Sequence, residues 1–204
     1  MQVVVTSGDG QWEELRTSSP GINWLRVEGP DKFLQNNNAD AYFNLNDDAI
    51  DRDYSNIAKP VFINAVSQTL KEKNAPAHVL RINAWRGFLQ RPVWEMVGIV
   101  DDNIKLIAEQ LNKKITVVAD EPGLVAARVI AMIVNEAYFA LGDEVSTKNE
   151  IDTAMKLGTN YPQGPFEWVA AIGIKNVYDL LQKLSEADIR YQPADLLIKE
   201  ALDQ

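Results

Sequence analysis

The sequence predicts an α/β fold in two parts, a mostly parallel sheet with crossover helices over residues 1–119 and an all-α part over 120–204. Three observations carry this. Short apolar runs rich in β-branched residues recur as far as residue 119 and then stop. From Asp120 onward every periodic stretch is helical, beginning with an apolar segment from Leu124 to Leu141 that only Arg128, Asn135 and Glu136 interrupt. Charge changes at the same place: residues 1–119 hold 15 acids and 13 bases, a net of −2, whereas 120–204 hold 14 acids and 7 bases, a net of −7.

In chain order, residues 2–6 (QVVVT) read as a strand, followed by the glycine turn Ser7-Gly8-Asp9-Gly10 and a helix beginning near Trp12. Residues 22–27 (INWLRV) are the second strand, ending at Glu28 before Gly29-Pro30. Residues 39–45 are the third and 60–65 the fourth, with a helical pattern over 66–73. The fifth is 78–84 and, after a helix over 102–111, the sixth is 115–119. This order favours a Rossmann-like sheet open at one edge. In the second part, Pro122 suits the first turn of the apolar helix, Asp120 its cap, and Gly142 its left-handed end. Thr147-Lys-Asn-Glu150 is a capping box that starts a helix near Lys148, running to Gly158. Pro162, Gly164 and Pro165 make a rigid turn before a short helix through Ala171, and helical patterns over 176–184 and 193–202 complete the chain.

With 204 residues, 46% hydrophobic and 24% charged, the chain is long enough to bury a real core. A net charge of −9 without a basic stripe excludes a general nucleic-acid binder. Zero cysteines exclude disulfides and thiolate chemistry. The N-terminus lacks the basic region of a secretory signal, and Arg128 and Glu136 mark the longest apolar segment as core, so a cytoplasmic protein without a membrane span is expected.

The segment from Asp120-Glu-Pro-Gly-Leu-Val-Ala-Ala127-Arg128 through Gly158 and Tyr161-Pro-Gln-Gly-Pro-Phe-Glu-Trp168 resembles the helical domain of the 3-hydroxyacyl-CoA dehydrogenase family. The family patterns are D-x-P-G-F-I-x-N-R and G-x-x-Y/H-P-x-G-P-F-E. The resemblance implies a shortened Rossmann-like domain (1–119) followed by a helical domain of the 3-hydroxyacyl-CoA dehydrogenase type (120–204). It also implies NAD as cofactor with no metal, acyl-CoA or another anionic small molecule as ligand, and a homodimer formed through the helical domain.

The sequence departs from that chemistry at several places. A dinucleotide turn needs G-x-G-x-x-G; here those positions are Thr6, Gly8 and Gln11, or, starting two residues later, Gly8, Gly10 and Glu13. Glu28 stands where an acid would hold the ribose hydroxyls. The connection over 29–38 is short where the family has a long helical pair. Pro92-Val-Trp-Glu95 looks like the glutamate end of the family's catalytic motif, which sets Asn83 at the place of the histidine base and Arg86 at that of the motif asparagine. An amide has no usable pKa near neutrality, so Asn83 is no base. The single histidine, His78, lies five positions away, on the opposite strand face. The family's S-N-T-S-S-L reads Ile63-Asn64-Ala65-Val66-Ser67-Gln68, keeping Asn64 and Ser67 but placing Val66 where the family has a hydroxyl that contacts the substrate, and Ala127 replaces a substrate-facing asparagine.

Trp85 and Trp94 flank this region, either filling the crevice or stacking on a ligand ring. Arg81, Arg86 and Arg91 are either an anion site or partners for the many acids. The expected function is therefore a dehydrogenase-related protein of fatty-acid metabolism with weak or no dehydrogenase activity, acting as a CoA-type or anionic ligand binder or a dimeric scaffold. The alternative is an active NAD-dependent 3-hydroxyacyl-CoA dehydrogenase with a rearranged site.

Overall fold

The computed structural model describes residues 1–203 apart from Asn37. It divides into two compact units, Met1–Leu124 and Val125–Gln204.

The first unit is a seven-stranded sheet in the order β2-β1-β3-β4-β5-β6-β7. Its strands are β1 (Gln2–Thr6), β2 (Asn23–Arg26), β3 (Ala41–Asn44), β4 (Val61–Asn64), β5 (Val79–Ile82), β6 (Val93–Val97) and β7 (Lys114–Val117). All neighbours are parallel except β5 and β6. The sequence reading places six of these strands. The seventh, β6, falls in the Val-Trp-Glu-Met-Val run, where an alternating strand pattern coincides with a segment read as a site motif. Successive side chains point to opposite faces, so Val3 and Val5 join one core and Val4 the other. The first core is closed by Leu15 of α1 (Asp9–Ser18) and by Ile104 and Ile107 of α3 (Asp102–Gln110). The second is closed by Phe33 of the short helix α2 (Pro30–Gln35) and by Ala49, Ile50, Tyr54 and Ile57. A helix of six residues therefore does fit the short connection after β2.

The helix expected over 66–73 is absent, because its backbone donors go elsewhere. Thr69 and Glu72 hydrogen-bond each other's amides with their side chains, and the Leu70 and Lys71 amides donate to the Asp120 carboxylate at 3.2 and 2.9 Å. Asp120 also pairs with Arg81. It is thus not the cap of the next helix, and Pro122 is not in its first turn. Gly123 (φ 87°) and Leu124 (φ 48°) are left-handed, a conformation that breaks a right-handed helix, so α4 begins only at Ala126.

The second unit contains α4 (Ala126–Gly142), α5 (Lys148–Thr159), α6 (Pro165–Ile172), α7 (Ile174–Ser185) and α8 (Asp195–Leu202). Helix α4 packs against α6, α7 and α8. Gly142 lies inside α4, and the left-handed residue beyond it is Glu144 (φ 55°). The Thr147–Glu150 capping box starts α5 as read from the sequence. Asn135, the polar residue buried in α4, is satisfied by the Gln192 carbonyl (2.9 Å) and the Ala194 amide (2.8 Å).

Candidate functional site

In an open parallel sheet, ligands bind beyond the carboxyl ends of the strands, at the point where strand order reverses. Here that point lies between β1 and β3, since β2 follows β1 on one side and β4 and β5 follow β3 on the other. The strand ends there carry a row of buried polar residues, Thr6, Asn44, Asn64 and Asn83. Asn46 joins two of them, its side-chain amide donating to the Thr6 hydroxyl (3.1 Å) and its backbone amide to Asn44 Oδ1 (3.3 Å). Asn44 also donates to the Tyr54 hydroxyl (2.8 Å).

Asn83 lies just past the end of β5. Its Oδ1 accepts from the Trp85 amide at 3.1 Å, while its Nδ2 is buried without a partner among the described residues. One step beyond the last paired residues of β5 and β6, Ile82 and Met96, come Asn83 and Glu95. Asn64 presents its Oδ1 to the Ala84 amide (3.2 Å), and Ser67 is half-buried in the following turn. Ala127 is fully buried in α4, in the second unit. His78 contacts the Tyr54 carbonyl through Nε2 at 3.1 Å.

The nucleotide candidates are also placed. Gly8 caps α1 and Gly10 lies in its first turn, where a Cβ would come within 3.1 Å of Arg86 Nε. Glu28 is exposed, two residues past the end of β2. One residue of this region is named by the sequence reading only as a missing glycine. Gln11 Oε1 accepts from the Gly8 amide (3.2 Å), and its Nε2 donates to the carbonyls of Leu45 (3.0 Å) and Ala84 (2.9 Å). One turn later, Glu14 accepts from the Gly87 amide at 2.6 Å. The helical position of Gln11, three residues after a glycine cap, was the available signal; the carbonyls it reaches are 34 and 73 residues away.

The remaining candidates separate. Trp94 is in the sheet core, donating to the Leu89 carbonyl (3.0 Å) and lying edge-on to Phe43, so it fills space and stacks on no ligand. Trp85 is buried beside Asn83. Arg81 is fully buried, held by Asp120 and by the carbonyls of Ala65 (2.8 Å) and Glu121 (3.1 Å), which makes it structural. Arg91 stacks on Phe88, and burial pushes its guanidinium pKa down against the pull of the Glu95 and Glu14 carboxylates. Arg86 is the exposed member of the three. No cluster of three or more His, Asp or Glu side chains able to hold a metal ion occurs among the described residues, and no helix there is long and apolar enough to cross a membrane.

A mostly parallel sheet unit followed by a helical unit headed by an apolar helix is the fold of the 3-hydroxyacyl-CoA dehydrogenases. The structure of (S)-3-hydroxybutyryl-CoA dehydrogenase from Ralstonia eutropha is similar with a TM-score of 0.75, covering 99% of this chain and 93% of that one at 17% identity, a likeness of fold. Residues 123–203 match the family model of the 3-hydroxyacyl-CoA dehydrogenase C-terminal domain. The 3-hydroxyadipyl-CoA dehydrogenase of Escherichia coli (strain K12) is 43% identical over 96 residues, 46% of this chain and 20% of that protein. The 3-hydroxybutyryl-CoA dehydrogenase of Bradyrhizobium diazoefficiens is 34% identical over 119 residues, 53% of this chain and 41% of that protein. The matched part of this chain therefore spans well under half the length of these curated relatives.

Proposed function

We propose that this chain is a 3-hydroxyacyl-CoA dehydrogenase relative of fatty-acid metabolism that keeps the family scaffold, has little or no dehydrogenase activity, and works as a dimer through its helical unit. The observation that carries this reading is Asn83. Oxidation of a 3-hydroxyacyl thioester needs a base for the hydroxyl proton, and a neutral amide beside the Glu95 position cannot take it. The relatives named as dehydrogenases of CoA thioesters support the substrate class from which the protein descends.

The helical unit supports the second half of the reading. Beside α4 lies an apolar groove of about 660 Å³ lined by Val129, Met132, Ile133, Ala140, Met155 and Pro165. Val129 and Phe139 are 53% and 43% exposed, a high value for large apolar residues on a central helix.

The test is consumption of NADH with acetoacetyl-CoA, followed by absorbance. Background-level turnover is expected. Turnover that Glu95→Gln abolishes would overturn the reading and leave an active enzyme with a rearranged site. An acyl-CoA or other anionic ligand is the second reading, favoured by the exposed Arg86 guanidinium at the start of α1. Calorimetric titration of CoA into the wild type and Arg86→Ala decides it: saturable heat lost in the variant supports ligand binding, and no heat in either leaves the scaffold.

A further inference from the structure

We infer that Gln11 excludes dinucleotides from the β1–α1 crevice, its side-chain amide standing where a pyrophosphate would lie and tying the crevice shut. This deepens the proposed function and rests on its premise that hydride transfer has been lost. A dinucleotide turn keeps side chains out of the way so that phosphates can approach bare backbone at a helix N-terminus. In this chain the third position of the pattern carries Gln11, whose amide uses both Nε2 hydrogens and its Oε1. It bonds the Gly8 amide after β1, the Leu45 carbonyl after β3 and the Ala84 carbonyl after β5. Three strand ends are thereby joined across the switch point by one side chain.

Neighbouring residues act in the same direction. Glu14 holds the Gly87 amide at 2.6 Å and so keeps the 84–89 segment against α1. Arg86 from that segment packs over Gly10, between Gly8 and Gln11 at the start of α1. Asp9, at the first position of α1, presents a carboxylate to the positive end of the helix and pairs with Arg26 at 2.6 Å. Arg26 in turn donates to the Ser7 carbonyl at 3.0 Å. Asp9 and Arg26 thus form a closed ion pair at this helix end. Glu28, the ribose candidate, is in place but exposed, and it alone does not make a site. The residues present do not fit NAD.

The experiment is a titration of NAD into the full chain, followed by calorimetry and by quenching of tryptophan fluorescence, which Trp12 next to Gln11 makes sensitive to the crevice. The wild type is expected to show no saturable binding. Gln11→Gly removes the amide and restores the glycine, and is expected to bind NAD at least about tenfold more tightly than the wild type. Gln11→Ala removes the same hydrogen bonds while keeping a strong helix former, and covers the case in which the glycine variant does not fold. Saturable binding by the wild type, or affinity unchanged in the folded variants, overturns the inference. Wild-type binding without turnover sinks the exclusion by Gln11 and leaves the proposed function standing, whereas turnover by the wild type sinks both.

Discussion

The Arg81–Asp120 pair illustrates how one residue can change meaning between sequence and structure. Arg81 reads as one of three closely spaced cations, and Asp120 as the cap of the apolar helix. In the folded unit Arg81 is fully buried and Asp120 collects it together with the Leu70 and Lys71 amides. Burial pushes the Arg81 pKa down, and the hydrogen bond and charge of Asp120 oppose this. A buried cation that loses the carboxylate bonded to it is left undercompensated, so Asp120→Ala is expected to cost roughly 3–5 kcal/mol in urea unfolding. The double variant Arg81→Met/Asp120→Ala should recover most of that loss, because the desolvated charge leaves with its partner. A single-variant loss below about 1 kcal/mol would show the pair to be solvated. The pairing was not legible in advance, since 39 residues separate the partners and local pattern says nothing of which strand end a turn will cross.

Elements were legible where the signal is local. The capping box at Thr147, the strand β1 with its glycine turn, and the helix α3 all depend on residues within one turn of each other. The 66–73 segment and the start of α4 were not, because the Asp120 side chain takes amides from the one and withholds itself from the other. The Gly-Pro-Phe-Glu turn gains a specific reason from the structure. Asp152 of α5 caps α6 by accepting from the Phe166 amide (2.8 Å), and a Cβ on Gly164 would overlap its carboxylate. Gly164→Ala is therefore expected to lower unfolding stability by about 1–3 kcal/mol through forced displacement of a cap. An unchanged thermal midpoint would show that Asp152 moves freely. In the same unit Glu200 receives Tyr138 (2.7 Å) and Lys148 (2.7 Å). Burial raises its carboxyl pKa, but the Lys148 and Tyr138 hydrogen bonds outweigh this and hold it below the ordinary value of 4.5. A carboxyl depressed in the folded state contributes stability above its unfolded pKa and loses it as pH falls through the folded value. Glu200→Gln should therefore destabilise the protein near neutral pH and flatten its acid unfolding profile below about 4.5; parallel profiles for the two proteins would remove Glu200 from the acid limb.

At the scale of the whole molecule, charge and apolar surface make opposite demands on association. Each chain carries a net charge of −9, concentrated in residues 120–204, the same region that exposes Val125, Val129 and Phe139 and that holds the groove along α4. Two such chains meeting through α4 bury apolar surface, which favours association irrespective of salt, and bring like charges together, which opposes it at low ionic strength. Screening shortens the repulsion to about 10 Å at 0.1 M salt and about 3 Å at 1 M. The dimer is therefore expected to tighten as salt rises, the reverse of an interface built on ion pairs. Sedimentation velocity at micromolar protein across that salt range checks this. Val129→Glu places a further carboxylate on the apolar stripe without touching the buried side of α4, and should give a monomer with an unchanged thermal midpoint at low salt. A wild type that stays monomeric at every salt concentration, or a Val129→Glu protein that dimerises as well as its parent, would mean that the exposed face of α4 does not take a second copy.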